Sequence, residues 1–120
     1  MLYRDLSFRI IGAAIEVHKT LGPGFVESVY EEALAQELSA RSIPFERQSV
    51  FEVYYKGRLV GSFRTDIVVD DAIILELKAV AGLSDLFKHQ TLSYLKASGL
   101  RLALLLNFGG SKLEAVRVIH

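Results

Sequence analysis

One stretch limits the fold more than any other: Phe63-Arg64-Thr65-Asp66-Ile67-Val68-Val69-Asp70-Asp71-Ala72-Ile73-Ile74-Leu75-Glu76-Leu77-Lys78-Ala79-Val80. Two β-branched, apolar arms flank Asp70-Asp71, residue types that favour turns, so the stretch predicts a tight hairpin. Strand side chains alternate with period two. Ile67, Val69, Ile73, Leu75, Leu77 and Ala79 then share one wholly apolar face. Asp66, Glu76 and Lys78 lie on the other, beside Val68 and Ile74. Charges on strands built for burial are costly to desolvate unless they are paired or bind a metal. Asp66 opposes Glu76 only if the pairing midpoint falls on Asp71, which predicts an odd-numbered loop such as Asp70-Asp71-Ala72. A two-residue loop would instead oppose Asp66 to Leu75.

Two carboxylates facing each other suit a hard cation, Mg²⁺ or Mn²⁺, which retains waters and binds phosphate oxygens. Lys78, on the same face, is placed to orient a water or to stabilise phosphoryl charge. A solvated sheet face, with Glu76 and Lys78 as an ordinary surface couple, fits the same local pattern.

The remaining elements follow from periodicity. Ser7 to Thr20 and Val26 to Arg41 read as helices, separated by Gly22-Pro23-Gly24. Strands are expected over Gln48–Lys56 and Leu59–Val69, with a hairpin turn at Gly57-Arg58, and then over Ile73–Val80. Ser84 is a plausible N-cap for a helix to about Lys96. Arg101–Asn107 reads as a strand buried on both faces, and Leu113–Ile119 as an edge strand. The crossover helix implies that the third and fourth strands are parallel. The expected fold class is α/β, a mixed sheet of about five strands flanked by helices, in the order α-α-β-β-β-α-β-β and within one domain.

Composition limits the function classes. With 14 basic and 14 acidic residues the chain carries no net charge, so bulk charge alone does not hold it on nucleic acid. No cysteine is present, which excludes disulfides and thiolate zinc sites and suits a reducing compartment. No secretory or bilayer-spanning segment is evident, so a cytoplasmic protein with no membrane partner is expected. Tyr54, Tyr55, Lys56, Arg58 and Arg64 mix aromatic and basic character, which suits either a nucleic-acid-facing edge or protection of an exposed sheet edge.

Asp66 followed by Glu76-Leu77-Lys78 resembles the D…(D/E)xK signature of the PD-(D/E)xK nuclease superfamily. Gly24-Phe25-Val26-Glu27-Ser28-Val29-Tyr30 resembles the string that names the GxxExxY proteins, and Gln90-Thr91-Leu92-Ser93-Tyr94 the QxxxY motif of RecB-type nucleases. Thr65 stands where the signature has proline. The resemblance implies a divalent-metal-dependent nuclease acting on DNA ahead of RNA. It assigns Asp66, Glu76, Glu27 and the carbonyl of Leu77 to the metal, and Lys78, Gln90 and Tyr94 to the catalytic constellation. Nucleic-acid contacts are expected from Arg64, Lys88, His18 and Tyr30. From the residues alone, His18 also fits a helix-end cation, Glu27 a dipole partner and Tyr30 core packing. A non-catalytic binding or adaptor protein that retains the fold is the alternative. A homodimer is a further expectation, since so small a domain covers little duplex alone.

Overall fold

The computed structural model describes residues 1–120. Its elements are α1 (Arg4–Leu21), α2 (Glu27–Ala40), β1 (Phe45–Tyr55), β2 (Arg58–Val69), β3 (Ile73–Lys78), α3 (Asp85–Ser98), β4 (Leu102–Asn107) and β5 (Glu114–Ile119). The strands form a five-stranded mixed sheet in the order β1-β2-β3-β4-β5. Only β3 and β4 run parallel, joined by α3 as the crossover.

The alternation expected around Asp70-Asp71 sorts the two faces of the sheet. Ile67, Val69, Ile73, Leu75 and Leu77 join Leu102, Leu104 and Leu106 beneath α1 and α2, in the main core. Val68, Ile74 and Ala103 instead meet Leu95 of α3 in a second, smaller cluster. Every residue of β4 is buried. The helices therefore cover both faces of the central strands, as their continuous apolar runs require.

The connections define where the strands end. Ala72 N–H donates to Val69 C=O across the three-residue loop 70–72, with Asp70 and Asp71 both at φ 52°. Asp and Asn tolerate that left-handed region better than other L-residues. The β1–β2 turn is Lys56-Gly57, one residue earlier than the sequence suggests. Both residues have positive φ, the requirement of a two-residue turn that matches strand twist. β1 begins at Phe45, immediately after Pro44, because its pairing with β2 runs back to Phe45↔Val69. β3 stops at Lys78, where Asn107 takes over: it accepts Val80 N–H and donates to Val80 C=O, both at 3.0 Å. Ser84 is the N-cap of α3 by position, with no hydrogen bond from its side chain.

The turn after β4 is packed hard against the end of β3. Phe108 N–H donates to Lys78 C=O at 2.8 Å, and a Cβ on Gly109 would overlap the backbone of Val80. Gly109→Ala should destabilise the fold by about 1–3 kcal/mol, the usual cost of overpacking. Gly82→Ala, where a Cβ meets nothing within 4 Å, should change stability by less than about 0.5 kcal/mol. Urea unfolding followed by circular dichroism distinguishes the two.

Candidate active site

The β2–β3 ladder pairs Ile67 with Leu75, Val68 with Ile74 and Val69 with Ile73. Continuing that register sets Asp66 opposite Glu76, as the odd loop predicts. There the ladder ends, and a side chain replaces it: Leu77 N–H donates to Asp66 Oδ2 at 2.8 Å. The strands part at this bond. Lys78 C=O is taken by Phe108 on the β4 side, so by strand alternation the peptide groups of Leu77 face the parting instead. The other edge of β2 is distorted at the same level. Gln48, which lies between the pairs Arg47↔Ile67 and Ser49↔Thr65, has φ 54°.

Glu76 is 7% exposed, and its Oε1 is buried without a hydrogen-bond partner. Burial, then the charge of Asp66, pushes its carboxyl up to about 8. Burial also raises Asp66; the Leu77 amide opposes that shift, while Glu31 and Glu27 add to it by charge. Like charges in one desolvated site cannot both ionise cheaply. Lys78 favours the charged form of both carboxylates yet forms no ion pair with either, and its Nζ lies 4.6 Å from the centroid of the Phe87 ring. Tyr94 also senses this pair: burial, then Glu76 and Asp66, raise its hydroxyl pKa. Its ring stacks on Phe63, with centroids 4.2 Å apart and planes at 3°.

The other expected residues are placed less uniformly. Gln90 is exposed on α3, and its side chain makes no hydrogen bond within the chain. Arg64 is exposed, and Lys88 is half-buried with its Nζ 3.9 Å from Asp85. Glu27 is exposed at the start of α2. No three acidic or imidazole side chains come together as a ready cluster, and Glu27 acts on Asp66 and Glu76 through its charge.

Burial also corrects two expected nucleic-acid contacts. Tyr30 is fully buried and stacks on Phe108 at 4.6 Å; its hydroxyl donates to Gly22 C=O and accepts from Phe25 N–H. It fixes the glycine turn before α2 and touches no solvent. His18 is 7% exposed, with Nε2 2.9 Å from Gly110 C=O, and so ties α1 to the turn after β4.

Several supporting residues escape a motif-based reading. Glu31, one helical turn after Glu27, accepts from Arg47 and Gln48 and anchors β1 to α2 beside Asp66. The i, i+4 spacing of Glu27 and Glu31 was the available signal. Phe87 and Phe63 hold Lys78 and Tyr94, respectively, and the helical spacing of Phe87, Gln90 and Tyr94 was the signal available for the first.

The donor set fits a hard divalent cation: two hard carboxylates, one with an unpartnered buried oxygen, beside a peptide carbonyl turned toward the gap. The pKa shift of Glu76 yields a stability test. A carboxyl raised from 4.5 to about 8 keeps its proton in the folded chain where the unfolded chain has lost it. In EDTA, stability should therefore fall as pH rises from about 4.5 through 8 and then level off. Glu76→Gln should flatten the fall and raise Tm at pH 8 above that of the wild type, as read by thermal melts at several pH values.

The sequence profile of the PD-(D/E)XK nuclease superfamily matches residues 4–118. Among solved structures, the crystal structure of SSO0001 is similar, with a TM-score of 0.61 at 16% identity, covering 78% of this chain and 49% of that one. This chain thus spans about half the length of that protein, and the likeness is one of fold. No curated protein matches. With a profile match that takes in all eight elements and both halves of the Asp66–Glu76 pair, the chain belongs to the PD-(D/E)XK nuclease superfamily.

Proposed function

We propose that this chain is a divalent-metal-dependent nuclease that hydrolyses phosphodiester bonds of DNA, with RNA the less favoured substrate, and that it falls in the GxxExxY branch of the superfamily. The observation that carries the reading is the unpartnered, buried carboxylate oxygen of Glu76 beside Asp66. Native proteins rarely leave such an atom unsatisfied without a use for it. PD-(D/E)XK nucleases generally use divalent metals, and Asp66, Glu76 and the Leu77 carbonyl would hold Mg²⁺ or Mn²⁺ here. The ion, when bound, lowers the pKa of a water and neutralises charge on the phosphate.

The chain's own groups do the rest. The Leu77 amide fixes the Asp66 carboxylate, so one of its oxygens is held and the other remains available. Lys78 keeps its ammonium on the Phe87 ring, close enough to act on both carboxylates and bonded to neither. It is thus available to orient the attacking water or to donate to a nonbridging phosphate oxygen. Tyr94, with its pKa raised, keeps its proton and remains a donor. Gln90, exposed one turn earlier, offers its amide to the sugar–phosphate backbone. In the reaction, a water oxygen bonds to phosphorus as the water gives up a proton to solvent, and the bridging P–O bond breaks. Its electron pair leaves with the departing oxygen, which takes up a proton.

Incubation of plasmid, single-stranded DNA and RNA with Mg²⁺ or Mn²⁺ tests the reading. Wild-type protein should cleave DNA, and EDTA should abolish cleavage. Lys78→Ala should lower kcat by about 10²–10⁴, the usual contribution of a positioned proton-handling group. Asp66→Ala should remove activity together with metal binding, measured by calorimetry. Cleavage that survives both substitutions rules out this site. Wild-type protein that binds DNA and does not cut it under any of these conditions would assign the chain to the adaptor reading.

A further inference from the structure

We infer that the outer part of the β1–β2 hairpin is a nucleic-acid-gripping arm that holds duplex DNA several nucleotides from the bond cut at Asp66 and Glu76. The inference rests on the nuclease reading for its substrate, and on separate observations for its location.

The β2–β3 ladder ends at Ile67, whereas the β1–β2 ladder continues to Tyr55↔Arg58. Beyond Asp66 the hairpin is therefore a two-stranded ribbon without a third strand. α3 braces its base, where Tyr94 stacks on Phe63 and Phe63 on Phe51. Past that stack, Tyr54, Tyr55, Leu59 and Val60 are 58–63% exposed. Four large apolar side chains at the tip of a ribbon are more than edge protection needs, since protection is achieved with charge.

Charge selects the occupant. The whole chain is neutral, yet residues 49–64 carry Lys56, Arg58 and Arg64 against Glu52 alone. None of the three cations is in an ion pair, and Lys56 Nζ sits 5.4 Å from the centroid of the Tyr55 ring. Unpaired cations beside exposed aromatics match a duplex backbone, its phosphates meeting the cations and its sugar edges meeting the rings. The register gives the reach. Seven residues separate Asp66 from Leu59, about 23 Å at the usual strand rise, or roughly seven nucleotides at 3.4 Å each. The arm and Asp66 share one continuous strand, so a grip at the tip fixes where the cleft meets the backbone.

The test measures binding of a fluorescent 24-base-pair duplex by anisotropy, in EDTA, over a range of salt. Because no cleavage occurs in EDTA, the outcome does not depend on whether the chain cuts. K56E/R58E should weaken binding of the 24-mer at least tenfold and reduce the slope of log K against log salt by about 1.8, at 0.9 per lost phosphate contact. Tyr54→Ser, at an exposed site, should weaken it by less than K56E/R58E does, with the slope unchanged. Unchanged affinity and slope for the 24-mer would overturn the inference. So would weakened binding accompanied by a change from dimer to monomer in sedimentation, which would assign the tip to a second copy of this chain.

Discussion

The carboxylate of Asp66 accepts the amide of Leu77, and with that bond β2 ceases to be the neighbour of β3. A backbone ladder would have continued the pairing and closed the gap. A side chain in its place satisfies the Leu77 N–H while leaving an opening, bordered by Glu76 and by the Leu77 carbonyl. The distorted Gln48 on the other edge of β2 belongs to the same arrangement. A non-glycine residue in the left-handed region costs of the order of 1–3 kcal/mol and persists only where its surroundings hold it. Glu31 holds this one by accepting from both Gln48 and Arg47.

The opening is electrostatically unfavourable in the protein alone. Glu76 is buried with an empty acceptor, Asp66 is raised alongside it, and the nearest cation rests on an aromatic ring. Stability is supplied elsewhere, by the large core under α1 and α2 and by the bonds that lock the end of β3. Asn107 grips Val80 on both its N–H and C=O, Phe108 takes the Lys78 carbonyl, and Tyr30 stacks on Phe108. The tyrosine of the Gly24–Tyr30 string thus acts on the site from beneath, through packing.

Much of this was legible in the sequence because period-two alternation is a strict rule. It assigned Ile67 and Val69 to one core and Val68 and Ile74 to the other side, and it required the odd loop that opposes Asp66 to Glu76. The length of the α3 crossover likewise fixed β3 and β4 as parallel. Periodicity names a face and not a partner, however. It could not show that Asp66 bonds to a backbone amide, that Phe87 carries Lys78, or that His18 and Tyr30 point inward to Gly110 and Gly22. Those are contacts between segments far apart in the chain, settled only when the helices dock. Glu27 illustrates the limit: the string places it at the start of α2, and only the docked helix shows that its charge reaches Asp66 and Glu76.

The strand order has a consequence for how the chain matures. β1, β2 and β3 follow one another as a meander, so neighbouring segments can pair as soon as they exist. β4 reaches its place only after α3 has carried the chain across the sheet, a slower, non-local closure. Tyr94 rides on that helix, and Asn107 and Phe108 arrive with the strand behind it. The two acidic residues and Lys78 are therefore synthesised well before Tyr94 and the residues that lock the end of β3, and a growing polypeptide would complete this site only as its final third is fitted.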